Sequence, residues 1–465
     1  MRAVTGATDR RDHGASILVT ALASFFGVVL IQATAFLLDI FGDDGEGAAA
    51  IALYCVAMVF ILLALYVASV VTANTFSTIV AGRTKTIALL RLLGASGREL
   101  RKSVSREGLS VGLFGAAVGL VVGVALSHLT RALAVSAGKL PDVAYTTVQP
   151  LVAMPVVIVV GTTWAASYIG ARRVLEVTPI QATGAVVETP VGVAGVGVAG
   201  GRSVRTTFAI VLIAGGVALL GLGVIIGSVT PAGVLVAFFG GAASFTGIMV
   251  GAHRIVPWIL RIVGRLFGNT PSARLAAANA TRYPERSTRT ALGLLIGVTL
   301  VVTFAVAMYS YRAMLQDEFS EESLDQVLTV TVGIMTGLIG FSGVIAAVGM
   351  VNNLSLSIMQ RTRELGLLRA LGFTRKQIRG MIVSESAQMV IASMGFGLLL
   401  GIVYGWAAAQ SLLGSIAQSG IELPTLPWAV IAGTVLCAAI LALVASLVPS
   451  RRANAISPVV ALAEG

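Results

Sequence analysis

Long uncharged apolar stretches alternate with short basic ones along almost the whole chain. The apolar runs cover 13–38, 47–82, 108–130, 143–171, 206–253, 290–311, 326–360, 386–421 and 423–450. A charge at the bilayer centre costs roughly 2.5–3.5 kcal/mol on insertion scales, so each uncharged run of about 20 residues or more predicts a membrane-spanning helix. The run 206–253 is too long for one crossing and contains the turn signal Gly227-Ser228-Val229-Thr230-Pro231-Ala232-Gly233, so it reads as two helices in a tight hairpin. The pattern therefore predicts an all-α polytopic membrane protein with ten transmembrane helices.

Composition agrees with that pattern. Of 465 residues, 56% are hydrophobic and 11% charged, against about 25% charged in soluble domains, which excludes a water-soluble globule. The net charge of +11 would suggest nucleic acid in a soluble protein; here 29 of the 32 Lys and Arg fall before span 1, after even-numbered spans or at the C-terminus. Only Arg131, Lys139 and Arg312 lie on the other side. This bias places both termini in the cytoplasm and removes any reason to expect a nucleic-acid partner. The outer connections carry acids instead, including Asp43, Asp44 and Glu46, and Asp317, Glu318, Glu321, Glu322 and Asp325. Arg10 and Arg11 before the first run, with Ala33-Thr34-Ala35 inside it, have the form of a secretory signal. The run is nevertheless long enough to read as a span.

The chain repeats itself. Shifted by 278 residues, 83–123 aligns with 361–401 without a gap, with 12 identities in 41 positions. Arg83/Arg361, Leu90/Leu368, Arg91/Arg369, Leu93/Leu371, Gly94/Gly372, Arg101/Arg379 and Glu107/Glu385 are among the pairs; at one residue more, Arg172-Arg173 matches Arg451-Arg452. Spans 1–4 and 7–10 thus read as two parallel four-helix units forming a pseudo-dimer, a 4+2+4 layout. The first unit covers 1–184, with spans near 15–38, 50–76, 108–129 and 149–171. A Gly/Val-rich cytoplasmic linker follows at 185–205, a two-span connector at 206–253 and a cytoplasmic amphipathic segment at 254–289. The second unit covers 290–465, with spans near 290–311, 328–354, 386–409 and 427–449.

Between spans 2 and 3, and again between 8 and 9, the chain carries a short amphipathic helix stopped by glycine. Leu365, Leu368 and Leu371 recur at helical spacing beside Leu367 in one copy, and Ile87, Leu90 and Leu93 in the other, with arginines on the remaining faces. Ser96-x-x-Glu99 and Thr374-x-x-Gln377 are capping boxes that start the next helix back towards the membrane. Such a helix suits anionic headgroups or a groove on a cytoplasmic partner. Further on, Gly115, Gly119 and Gly123, and Gly397, Gly401 and Gly405, form small-residue faces for close helix packing. Glu107 and Glu385 stand at the membrane entrance of the same spans, where a carboxylate suits a helix N-terminus.

The segment Arg361-Thr-Arg-Glu-Leu-Gly-Leu-Leu-Arg-Ala-Leu-Gly372, a Glu at the entrance of the following span and Arg451-Arg452-Ala453-x-x-x-x-Pro458 after the last resemble the FtsX-like permease domain. Asn279-Ala-Thr-Arg-Tyr-Pro-Glu-Arg-Ser-Thr-Arg289 before span 7 does so too. The resemblance extends over both units, roughly 300 of 465 residues, and implies the membrane subunit of an ATP-binding-cassette transporter. It further implies that the short helices are coupling helices received by two copies of a cytoplasmic ATPase, which would bind ATP and Mg. The residues it assigns to coupling are Arg83, Ile87, Leu90, Arg91, Leu93 and Gly94, then Arg361, Arg363, Glu364, Leu365, Leu368, Arg369, Leu371 and Gly372. Thr86 stands opposite Glu364, so the two couplings need not be equivalent.

Ten spans resemble the permeases of peptide-antibiotic resistance transporters, but the outer connections 41–47 and 312–326 are too short for their large extracytoplasmic domain. No Gly-x-x-x-x-Gly-Lys-Ser/Thr occurs, so the chain is expected not to hydrolyse ATP itself and to carry no cofactor. His13, His128 and His253 are far apart, and Cys55 and Cys437 lie in apolar runs, so no metal site is expected. No charge lies deep in a span, which disfavours an ion-coupled secondary transporter. The leading expectation is a permease in a bacterial plasma membrane that exports or extracts a hydrophobic compound, drug, antimicrobial peptide or lipid. A mechanotransmitter relaying ATP hydrolysis to an extracytoplasmic partner is the alternative. The substrate-binding residues are not identified by the sequence.

Overall fold

The computed structural model describes residues 9–41, 48–82, 84–138, 149–175, 199–264, 284–318, 367–369, 371–415 and 420–440, with 278, 337, 340, 343 and 344. The described chain is all-helical, with no strand among the described residues. The helices are α1 (Asp9–Phe41), α2 (Ala48–Gly82), α3 (Thr84–Leu92), α4 (Gly97–Ser136) and α5 (Ala153–Leu175). Then follow α6 (Ala199–Gly227), α7 (Gly233–Gly264), α8 (Pro284–Glu318), α9 (Arg375–Leu413) and α10 (Trp428–Ile440). All of these helices except α3 and α10, eight in total, are long and apolar enough to cross a membrane. In lipid a spanning backbone must satisfy its own hydrogen bonds, which is why each of these eight segments is continuous helix.

Eight such helices are observed where the sequence predicts ten. The stretch 328–354 lies almost wholly outside the described residues, and α10 is described only as far as 440 within the predicted 427–449. Helix ends also differ from the expectation. α6 begins at Ala199, inside the stretch 185–205 read as linker; α7 runs to Gly264 and α8 starts at Pro284, so helix occupies both ends of 254–289. α4 and α9 begin at Gly97 and Arg375, directly after the capping boxes at Ser96 and Thr374 as expected, and run on through the spans predicted from 108 and 386. An apolar-run reading stops at the first charge, whereas the helical backbone continues past it once the side chains reach water or headgroups.

α1 packs against α2 and α4, α4 against α5, and α8 against α9. The contact between α1 and α4 is repeated between α8 and α9. Gly119 faces Ser24 and Gly123 faces Val28 in the first unit; Gly397 faces Val298 and Gly401 faces Val302 in the second. A side chain-to-backbone bond closes each pair, Ser24 Oγ–H to the Ala116 carbonyl and Ser393 Oγ–H to the Ala291 carbonyl, at 3.0 and 3.1 Å. The duplication seen in sequence is therefore also a duplication of packing.

The connector hairpin α6–α7 breaks the symmetry. It lies on α9 and α8 and reaches α2 of the first unit. Val19, Phe26 and Leu30 of α1, Phe60, Ala64, Val67 and Val71 of α2, Phe245 of α7 and Ile296 and Phe304 of α8 share one apolar core. α8 is the central helix, with 83% of its most apolar window buried, against 28% for α6. Because of the hairpin, Ala407 and Ser411 on α9 are fully buried, whereas their repeat partners Leu129 and Leu133 on α4 are 55% and 60% exposed.

Two tyrosines pin the hairpin to both units. Tyr66 Oη–H donates to the Ala242 carbonyl at 3.1 Å and lies 3.0 Å from Thr246 Oγ1; Tyr404 Oη lies 2.9 Å from Ser244 Oγ. Interhelical bonds of this kind in membranes are worth roughly 0.6–1.7 kcal/mol. Tyr66→Phe combined with Tyr404→Phe is expected to lower stability by about 1–2 kcal/mol, read as a fall in the thermal midpoint of the detergent-solubilised protein. An unchanged midpoint would mean that the hydroxyls do not fasten the hairpin.

Candidate functional site

The short helices on the basic face end in the same way. Gly94 and Gly372 both have φ +95°, a conformation that costs a residue with a Cβ about 1–2 kcal/mol. In the first copy Gly94 N–H donates to the Arg91 carbonyl at 3.0 Å and Ala95 N–H to the Leu90 carbonyl at 2.9 Å. In the second, Gly372 N–H donates to Arg369 and Phe373 N–H to Leu368, at 3.1 and 3.0 Å. This paired bonding is a Schellman motif, which uses the last carbonyls of a helix and turns the chain sharply.

The next helix starts two residues later in each copy. Glu99 N–H donates to Ser96 Oγ at 3.2 Å while Ser96 N–H donates to the Glu99 carboxylate at 3.3 Å. Gln377 N–H donates to Thr374 Oγ1 at 3.2 Å, and Thr374 N–H to Gln377 Oε1 at 2.9 Å. Both capping boxes predicted from the sequence are thus formed. Ser96→Ala and Thr374→Ala should each cost about 1 kcal/mol. Faster amide exchange confined to the first turns of α4 and α9 would report that loss, and unchanged exchange would refute the cap's role.

The apolar face of the short helix is divided between protein and exterior. Ile87 is buried at 5% exposure, where α3 rests against α2 and α5, and Leu90 is half-buried. Leu93 is 76% exposed and its repeat partner Leu371 69%. Leu368, Arg91 and Arg369 are half-buried. Arg83, Arg361, Arg363, Glu364 and Leu365 lie outside the described residues. Leu89 and Leu92 are also exposed, a surface the Ile87-Leu90-Leu93 spacing alone does not bring out. Their signal is the pair of double leucines at 89–90 and 92–93 flanking Arg91.

The glycine faces approach a neighbouring helix too closely for side chains. A Cβ on Gly115 would collide with Thr20 Oγ1, on Gly119 with the Ala21 carbonyl oxygen, and on Gly123 would stand 2.9 Å from Val28. On Gly397, Gly401 and Gly405 it would lie 2.9 Å from Val298, 2.6 Å from Val302 and 2.6 Å from the Thr303 carbonyl oxygen. Glu385 is buried and Glu107 half-buried. Neither is at a helix N-terminus, because α4 and α9 start about three turns earlier; Glu99 is the acid in the first turn of α4.

At the opposite end of α9 the loop 420–427 is tied down by residues that sequence reasoning did not single out. Trp406 Nε1–H donates to the Glu422 carbonyl and Gln410 Nε2–H to the Gly420 carbonyl, both at 2.6 Å, and Thr425 N–H donates to Ser310 Oγ at 3.1 Å. The one-turn spacing of Trp406 and Gln410 is their only trace in the sequence. The cavity there is about 10 Å³, the space of roughly one water molecule and far below the roughly 300–1,000 Å³ of small-molecule sites.

A duplicated helical membrane protein, with a glycine-stopped amphipathic turn on the same face of each copy, is the class that fold and site define. The chain belongs to the FtsX-like permease family: the pattern described as FtsX-like permease C-terminal matches residues 58–179 and again 336–458, together more than half of the chain. The matched segments are narrower than the four-helix units expected from the resemblance, since the first begins within α2 and α1 and α8 lie outside both. Similar proteins include YknZ of Bacillus subtilis, described as an uncharacterised ABC transporter permease, 29% identical over 33% of this chain and 36% of its own length. The macrolide export ATP-binding/permease protein MacB of Marinobacter nauticus is 30% identical over 43% of this chain and 28% of its own. The pyoverdine export ATP-binding/permease protein PvdT of Pseudomonas putida is 24% identical over 49% of this chain and 33% of its own. The similarity spans about a third of each relative.

Proposed function

We propose that the protein is the transmembrane permease subunit of an ATP-binding-cassette exporter that works with a separate ATPase. The observation that carries this reading is the pair of matching cytoplasmic turns. Each presents an exposed leucine, Leu93 or Leu371, immediately before a positive-φ glycine and a capped helix that continues unbroken into the membrane. Such a turn is a rigid lever: force on the short helix passes through the capped start of α4 or α9 into the span. The relatives whose names join ATP-binding and permease functions support a partner ATPase, and the duplication supports two copies of it, each holding ATP and Mg.

The cargo is a hydrophobic or amphiphilic compound. Uncharged spans and the wide apolar faces of α4, α5 and α6 suit a molecule taken from the membrane, and the relatives named for macrolide and pyoverdine export support export as the direction. The setting is a bacterial plasma membrane with both termini on the cytoplasmic, basic side. Co-reconstitution of the full chain with its ATPase in proteoliposomes tests the reading. ATP-dependent redistribution of a fluorescent amphiphile is expected; none, with ATP hydrolysis intact, would transfer support to a mechanotransmitter. Redistribution driven by a proton gradient without the ATPase would overturn the proposal altogether.

A further inference from the structure

Where α4 and α5 emerge on the basic face, one arginine is held in place by aromatics. Arg101 lies on α4 with its guanidinium carbon 5.3 Å from the centre of the Tyr168 ring on α5, and donates from Nη1 to Tyr168 Oη at 3.4 Å. Tyr168 stacks on Trp164 one turn further into the membrane, centroids 6.0 Å apart and planes at 22°. The Nε of Arg101 is shielded from solvent and has no hydrogen-bond partner. Both aromatic rings are exposed on the outer flank of α5, Tyr168 at 41% and Trp164 at 47%, and Arg98, Lys102 and Arg106 stand exposed on the same stretch of α4. A guanidinium fixed against an aromatic ring, surrounding positive charge and a flat aromatic ladder leading into the apolar layer are what a phosphate carried on a diacyl chain requires.

We propose that Arg101, Tyr168 and Trp164 form a binding site for the headgroup phosphate of an anionic phospholipid in the leaflet on the basic side. The outward-facing N–H groups of the guanidinium donate to the phosphate oxygens, and an acyl chain lies along Trp164. The second unit supplies a built-in comparison. Arg379 is the repeat partner of Arg101, but it is exposed, and the positions matching Trp164 and Tyr168 are Leu443 and Leu447. The site therefore belongs to the first unit alone and makes the two halves of the pseudo-dimer unequal towards lipid.

Native mass spectrometry of the delipidated full chain, titrated with phosphatidylglycerol or phosphatidylcholine, tests this. One phosphatidylglycerol should bind in preference to phosphatidylcholine. Arg101→Gln should weaken it about tenfold, as expected for loss of a charge-assisted bond, and Tyr168→Leu, which reproduces the second unit, should weaken it several-fold. Arg379→Gln should bind like the parent. Equal retention of both lipids, an unchanged Arg101→Gln, or an equal loss in Arg379→Gln would overturn the proposal. So would displacement by millimolar inorganic phosphate, which would assign the guanidinium to a soluble phosphate ester instead. Tyr168→Leu leaves the charge in place, so the test survives if Arg101→Gln fails to fold.

Discussion

Leu93→Asp combined with Leu371→Asp is expected to release the proposed ATPase partner from the permease while leaving the membrane fold unchanged. Both leucines project from the protein, at 76% and 69% exposure, so a carboxylate there remains hydrated in the free subunit. In an ATPase groove the same carboxylate would be stripped of water without a partner, a penalty of about 3 kcal/mol or more per site, or roughly a hundredfold in affinity. Co-purification of the tagged chain with the ATPase should fall to background, while the monodisperse elution and thermal midpoint stay those of the parent. Ile87→Asp makes the contrast: that side chain is buried, and the substitution should destabilise α3 itself. If the double variant retains its ATPase at the parent's level, the short helices are not the coupling surface and rest on lipid.

The second large effect concerns the small-residue faces. Gly119→Val should destabilise the protein by about 3 kcal/mol, because its Cβ would meet the Ala21 carbonyl oxygen and lie 2.7 Å from Ser24 Cβ and 2.8 Å from the Phe25 nitrogen. Two of these obstacles are backbone, so no rotamer change relieves them and α1 must move. α1 contributes Val19, Phe26 and Leu30 to the core shared with α2, α7 and α8, so its displacement loosens more than one unit. Gly401→Val should act similarly against Val302. Gly221→Ala on α6 has nothing within 4 Å of the new methyl and should be neutral or slightly stabilising, as alanine favours helix by up to about 1 kcal/mol over glycine. Thermal midpoints in detergent, with the yield of folded protein, measure all three. A Gly119→Val protein that melts with the parent would mean that α1 and α4 do not approach so closely.

Much of the candidate site was legible because its chemistry is local. Ser96 and Glu99, Thr374 and Gln377, and the glycines that stop each short helix act over a few residues, so their spacing alone states what they do. The glycine faces were legible as faces, but not their partners: Gly119 meets Ser24 and Gly397 meets Val298, pairings set by helix approach and not by sequence distance. The exposed leucines were harder. Ile87, Leu90 and Leu93 form one stripe in sequence, yet the first is buried and the last exposed, because α3 lies against α2 and α5 along only part of its length. The starts of α4 and α9 were legible from their capping boxes, whereas α6 begins inside the stretch read as linker, since charge stops an apolar run without stopping a helix.

The sequence by itself determined that the chain is a set of membrane-crossing helices, that it is duplicated, and where its short turning helices end. Hydropathy, capping and glycine conformations are properties of a residue and its near neighbours, so the one-dimensional string contains them. Only the tertiary structure decided that α8 is the central helix, that the connector hairpin covers the second unit and leaves the matching face of the first exposed, and that Tyr66 and Tyr404 fasten it. Those choices join positions 160 and 176 residues apart. They depend on which helix surfaces fit one another, a property that neither surface carries alone.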